Sequence, residues 1–217
     1  MIRVTQYHLA PTALVPNSPL PLLHYRGVFD QPTPGEVLDV LSSNGWKAKW
    51  LVRYGPTQPS HYHSAVHEAM VVLSGTAKIM FGVADVNPGD KNSEQEAGGI
   101  LVEAHVGDVF VLPSGLAHKT HDPSPSLAFK RLTPGDGHDA DDNEMDFAIR
   151  NAELSGFTML GSYPADGGDW DFAVGGESEG KYEQVWSVKL PEKDPVLGYS
   201  ENGIHRYWSK HKKTNSQ

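Results

Sequence analysis

The 217-residue chain carries 18 Lys and Arg against 27 Asp and Glu, a net charge of −9 that argues against nucleic acid or another polyanion as partner. It has no cysteine, which excludes disulfides and thiolate ligands and leaves nitrogen and oxygen to hold any metal. No apolar run approaches the roughly 20 residues of a membrane span, and Pro and polar residues interrupt the N-terminus before a secretory core could form, so a soluble, cytoplasmic protein with no membrane partner is expected.

With 22 Gly and 16 Pro, the chain is rich in turn positions and favours short elements. Residues Pro11 to Pro21 contain four prolines and suit an extended arm lying on the domain. The segment "TPGEVLDVLSSNG" predicts a helix: Thr33 caps it, Pro34 sits where its missing N–H costs nothing, Glu36 completes a capping box, Val37, Val40 and Leu41 share a face, and Gly45 ends it. From Trp46 the period becomes two. Trp46, Ala48, Trp50, Val52 and Tyr54 alternate with Lys47, Lys49, Leu51 and Arg53, as in a half-buried strand.

Further strand-like runs follow at "EAMVVLSG", "AKIMFGV", "ILVEAHV", "DVFVLP" and "LAFKRL", each bounded by turn residues. No helix between them is long enough for a parallel crossover, which points to an antiparallel sandwich or barrel. The acidic stretch "PGDGHDADDNEMD" fails as a calcium loop. Counted from Asp139, the sixth position is Glu144 where Gly is needed, and the twelfth is Arg150 where a bidentate Glu is needed. Its acids instead suit the start of a helix through about Met145 to Leu154. From Gly161 the tail has little periodicity and is expected to wrap the core. The chain reads as one domain over 1–217, with a barrel core at about 46–133, an N-terminal arm and helix at 1–45 and a C-terminal extension at 134–217.

The chemistry concentrates in "GPTQPSHYHSAVHEAMVVLSG". His61 and His63 are two apart on a strand end, so both side chains point to one face, the geometry that two ligands of one metal require. An exposed strand-end pair is the alternative. Glu68 has the wrong parity for a continuous strand, but a turn at Ser64 to Val66 lets it open the next one and face back. His67 competes with it; Glu68 is preferred because Val66, Glu68, Met70 and Val72 share a face. "GDVFVLPSGLAHKTHD" offers His118 as a ligand from elsewhere in the sheet, while His105 and His121 read as polar partners or surface residues.

Gly55, five residues, His61, one residue, His63, four residues, Glu68, six residues, Gly75 resembles the first motif of the cupin superfamily, and Gly107, five residues, Pro113, one residue, Gly115, two residues, His118 resembles the second. Asp122 stands where that family usually has Asn, at a turn position. The intervening 31 residues keep the motifs in order. The segments "GSYPADGGDWDF" and "DPVLGYSENG" are similar to the tail of a little-characterised branch of small bacterial and fungal single-domain cupins. The resemblance implies an all-β fold: a double-stranded β-helix, or jelly-roll barrel, with a few short peripheral helices. It also implies one divalent ion per chain (Fe, Mn, Zn, Ni or Cu) held by His61, His63, Glu68 and His118.

Such a centre suits a small-molecule substrate or ligand that is anionic or chelating. The leading expectation is a metal-dependent enzyme, with dioxygenase chemistry ahead of isomerase or decarboxylase chemistry; the alternative is a non-catalytic metal- or small-ligand-binding protein. Tyr54, Arg53, Lys130, Arg131 and Trp170 are candidates for auxiliary roles, Trp170 as a cover for the barrel mouth. A homodimer is compatible with the exposed edges of so small a barrel.

Overall fold

The computed structural model describes residues 2–138 and 141–208. Asp139, from which the calcium loop was counted, and the end of the C-terminal extension at 209–217 lie outside the described residues. In chain order the elements are β1 (Val4–Tyr7), β2 (Leu22–Tyr25), α1 (Pro34–Ser43), β3 (Trp46–Arg53), β4 (Glu68–Ser74), β5 (Thr76–Phe81), β6 (Ile100–Ala104), β7 (Val109–Leu112), β8 (His118–Ser124), β9 (Lys130–Arg131), α2 (Asp142–Arg150), β10 (Thr158–Pro164), α3 (Tyr182–Trp186) and α4 (Ile204–Tyr207). They form a seven-stranded sheet, β1-β2-β7-β4-β10-β3-β9, and a three-stranded sheet, β6-β5-β8. Neighbours within both sheets pair antiparallel. This is the expected jelly-roll barrel with short peripheral helices. No described helix is long and apolar enough to cross a membrane.

Helix α1 starts as its sequence dictates. Thr33 Oγ1 accepts from the Glu36 N–H at 3.3 Å, and Glu36 Oε2 accepts from the Thr33 N–H at 2.8 Å, a complete capping box. Its buried face is Val37, Leu38 and Leu41, with Val40 at the margin. Helix α2 begins earlier than its hydrophobic pattern suggests, because Asp141 caps it by accepting from the N–H groups of Asn143 and Glu144.

Strand β3 does not keep one face throughout. Against β10, Trp50 pairs with Gly161 while Ala48 pairs with Ser162, so Lys49 is bulged out of the ladder. The extra residue inverts the parity. Trp46 and Ala48 therefore join Leu51 in the outer cluster under α1 and α2, while Trp50, Val52 and Tyr54 face the barrel interior. The simple alternation read from the sequence is corrected by that bulge.

Strand β10, within what the sequence presents as helix end and aperiodic tail, is fully buried between β4 and β3. Gly161 at its centre lies against the Trp50 indole, which would overlap any Cβ placed there. "LAFKRL" contributes only the two-residue edge strand β9. The N-terminal arm supplies β1 and β2 at one end of the large sheet, and the C-terminal extension supplies β10 in its interior. Between β1 and β2 the proline-rich stretch forms neither helix nor strand; Val15 to Ser18 are buried, and Asn17 Nδ2 donates to the carbonyls of Ala10 and Gly82 at 2.6 and 2.9 Å.

Candidate metal centre

Backbone pairing brings the two histidine motifs together. His61 and His118 form an antiparallel bridge, each N–H donating to the other's carbonyl at 3.2 and 2.9 Å. Two residues on, His63 O accepts from Gly115 N at 2.7 Å, and Gly115 turns the chain at φ +83°. Because β-bridged and i, i+2 side chains share a face, three imidazoles converge. Their ring centroids lie 4.2 Å (His61 to His118), 5.5 Å (His61 to His63) and 6.0 Å (His63 to His118) apart. One nitrogen from each falls within 4.8 Å of the others, a grouping that could hold a metal ion.

Glu68, the first residue of β4, lies against two of the three. Oε1 is 3.4 Å from His63 Nε2 and Oε2 is 3.5 Å from His118 Nε2. Two donors each about 2.1 Å from one ion are at most about 4.2 Å apart, so these separations suit a shared ion with little movement. Oε2 is also buried without a hydrogen-bond partner, an arrangement that is costly unless something else satisfies it.

The surrounding groups present the ring nitrogens correctly. Asp171 O receives a hydrogen bond from His63 Nδ1, and Leu116 O receives one from His118 Nδ1 at 3.3 Å. A carbonyl can only accept, so Nδ1 of each ring carries a proton and Nε2 faces Glu68. Tyr163, on β10, places its hydroxyl 3.1 Å from Glu68 Oε1 and 3.2 Å from His63 Nε2, and Trp50 Nε1 donates to that hydroxyl at 3.1 Å.

Electrostatics follow from burial among these partners. Burial and the neighbouring His118 and His63 push His61 well below the usual imidazole value. Burial also lowers His118, only partly offset by Glu68. For His63 burial is again the largest influence and acts downward, but the Glu68 charge and hydrogen bond and the Asp171 carbonyl outweigh it and raise the value. Glu68 is held below the ordinary carboxylate range, because the charge and hydrogen bond of His63, then His118 and Tyr163, overcome its burial. At neutral pH His61 and His118 are uncharged and Glu68 is ionised, as metal ligands must be.

His67 takes a different direction. Its ring packs on Trp208 at 4.9 Å, its Nδ1 accepts from Ser114 N at 3.0 Å, and burial pushes its value down to about 4. It therefore stands on the outer side of the sheet, away from the three imidazoles. His105 is exposed beside Asp108, and His121 is half-buried near Lys119. Arg53 is tied on the outside to Ala128 O and Ser155 Oγ, and Lys130 is exposed.

A cavity of about 300 Å³ opens beside His61 and His63. Trp50 and Val52 line it from β3, Tyr54 from just past that strand and Tyr163 from β10; Phe129 and Arg131 come from the β9 region, Gln58 and Pro59 from the loop before His61, and Trp170 and Phe172 from the tail. The tail is anchored where it matters. Tyr62 and Ala173 exchange backbone hydrogen bonds at 2.8 and 3.0 Å, Asp171 Oδ1 accepts from Ser64 N at 2.7 Å, and the Phe172 ring stacks on His61 at 4.1 Å. Sequence reasoning singled out Trp170 but not Tyr163, Asp171 or Phe172; the alternation of "WDF", two rings flanking one acid, was the available signal.

The family model described as Cupin matches residues 51–136. The uncharacterized protein YjlB of Bacillus subtilis strain 168 is 28% identical over 205 residues, covering 93% of this chain and 95% of that one. Among solved structures, a vicilin from Solanum melongena matches at 14% identity with a TM-score of 0.30, over 56% of this chain and 23% of the vicilin chain, so the present chain spans about a quarter of that longer protein. A non-heme monooxygenase, the ThoJ-Ni complex, matches at 13% identity with a TM-score of 0.26, over 83% and 68%. Both histidine motifs lie on paired backbone of an antiparallel barrel, and the Cupin family model spans them.

Proposed function

We propose that this protein binds one divalent metal ion through His61, His63, Glu68 and His118 and acts as a metal-dependent enzyme on a small molecule, with dioxygenase chemistry ahead of isomerisation or decarboxylation. The observation that carries the reading is the meeting of three imidazole nitrogens within 4.8 Å beside a buried carboxylate whose Oε2 has no other hydrogen-bond partner. A donor set of nitrogen and oxygen suits Fe, Mn, Zn, Ni or Cu, and such an ion supplies Lewis acidity, or O2 activation in the case of Fe or Cu.

The chain's own groups favour the oxygenase order. Isomerisation or decarboxylation calls for a free acid or base beside the substrate, yet among the described residues lining the cavity there is no carboxylate and no lysine. Burial raises both tyrosines there, Tyr54 and Tyr163, above their ordinary value, with the Glu68 charge adding to it, which keeps them protonated at neutral pH and makes them weak acids. The aromatic walls exclude water and hold a planar substrate against His61 and His63. We read the protein as one cytoplasmic domain over 1–217, for which a homodimer is a compatible assembly.

Aerobic assay of protein loaded with each metal in turn, against enols, diketones and thiols, tests the proposal. O2 consumption with product formation is expected with Fe(II). Stoichiometric metal binding with neither O2 uptake nor any product would replace it with the non-catalytic metal- or ligand-binding reading.

A further inference from the structure

The cavity is apolar in its walls but carries hydrogen-bond donors that nothing in the chain satisfies. Arg131 Nε, Trp170 Nε1 and Gln58 Nε2 are all buried without a partner, and all three residues line this one cavity. A buried N–H left unpaired costs on the order of 1–3 kcal/mol. Three in one pocket suggest a ligand that accepts hydrogen bonds.

Two of the residues that carry these donors meet at Gly137. Gly137, at φ +104°, is flanked by Arg131 Nη2 and Trp170 Cζ2, which a Cβ there would meet at 3.0 and 3.3 Å. Arg131 is already partly engaged: Nη2 donates to Lys49 O at 3.0 Å, and the Asp136 carboxylate lies close enough for its charge to act on the guanidinium. Those contacts leave Nε–H unpaired. The same indole reaches the histidine centre, its ring 5.9 Å from that of His63 in an edge-on arrangement and stacked on Tyr163 at 5.9 Å. One indole therefore spans the distance from Arg131 to the ligand set.

We infer that the cavity takes a compact planar carboxylic acid, its carboxylate on Arg131 Nε–H and Trp170 Nε1–H and its ring or enol plane against the aromatic walls, with the far end toward the three histidines. N–H donors on two neighbouring side chains can each take one oxygen of a carboxylate, and an arginine supplies the opposite charge. A volume of about 300 Å³ lies at the small end of ligand sites, which limits the acid to about one ring. The net charge of −9 does not oppose this, because a paired guanidinium at contact distance outweighs remote screened charges. The orientation of the far end rests on the proposed function; the acid-binding half does not.

Calorimetric titration of metal-free protein with benzoate and with benzamide tests the acid-binding half. Benzoate is expected to bind about 10-fold more tightly or better. Arg131→Gln should abolish that preference, and Trp170→Phe, which keeps the ring and removes the N–H, should reduce it several-fold while circular dichroism stays native. His121→Ala, outside the cavity, should leave the preference intact, and because the titration uses metal-free protein, acid recognition is read separately from metal binding. Equal affinity for the acid and the amide, an undiminished preference in Trp170→Phe, or no binding of benzoate at all would overturn the inference.

Discussion

The two faces of the seven-stranded sheet are both buried, yet they use burial differently. On the outer face, Leu23, Val71, Leu160 and their neighbours are sealed by α1, α2 and the tail, and polar groups close on the chain itself: Tyr25 on Asp194 at 2.5 Å, Trp46 Nε1 on Lys193 O at 2.9 Å, Trp208 Nε1 on Pro21 O at 2.9 Å. On the inner face, aromatic residues surround three imidazoles, a carboxylate and several N–H groups with no partner in the chain. His63 and His67 make the contrast within one short segment, one held in a charged cluster and the other neutral against an indole. The outer face stabilises the fold, and the inner face gives up some stability to keep polar groups available.

Substitutions can break this division. The largest effect is expected from His63→Ala or His118→Ala, which should lower metal affinity by at least about 100-fold, whereas His121→Ala, at a half-buried site near Lys119, should leave metal content unchanged. Elemental analysis of the three purified variants decides; equal metal in all of them removes the assignment. Next comes Trp208→Ala on the outer face, which deletes an indole that is 1% exposed and should cost about 3–5 kcal/mol in denaturant unfolding. Metal stoichiometry should not change, and a parallel loss of metal would mean that the faces are not independent.

The smallest effect sharpens the comparison at the barrel rim. Asp108 accepts from Gly27 N at 2.8 Å and His105 N at 3.1 Å, and its Oδ2 lies 3.1 Å from His24 Nε2. Burial acts to raise its value, but the His24 hydrogen bond, the Gly27 N–H, the His24 charge and the His105 N–H hold it below the ordinary carboxylate range. Its folded value is depressed, so the stability it contributes is present above the unfolded value of about 3.9 and is lost as pH falls through the folded value. Asp108→Asn should therefore cost about 1–2 kcal/mol at pH 7, and the gap to the unaltered protein should narrow below about pH 4. A gap that stays constant down to pH 2 would show that the carboxylate charge plays no part.

What could be read from the sequence reflects how local each determinant is. His61, His63, Glu68 and His118 stand at fixed spacings from turn glycines, so one chain order carries both the turn and the ligand placement; Gly75 indeed turns β4 into β5 at φ +68°. Asp122, expected at a turn, lies instead at an irregularity within β8 between His121 and Ser124, at φ +50°, a conformation that Asn and Asp both tolerate. The parity of β3 was not legible, because the bulge at Lys49 is set by pairing with a strand more than a hundred residues away. Strand β10 was hidden for a related reason. Buried on both faces, "TMLGSYP" shows no alternation, and its Gly and Pro read as breakers. Tyr163 reaches the centre only through tertiary contacts that no local pattern encodes, whereas Trp170 and Asp171 lie in the "WDF" alternation.

Gly161 illustrates how far such a contact extends. The Trp50 indole occupies the space that a side chain there would need, and from that position it donates to the Tyr163 hydroxyl that touches both His63 and Glu68. Even a methyl group at this position would push the indole off its seat and detach the phenol from its donor, altering the basicity of two prospective ligands without touching either. The residue with the least chemistry of its own thus acts as the calibration point of the whole centre.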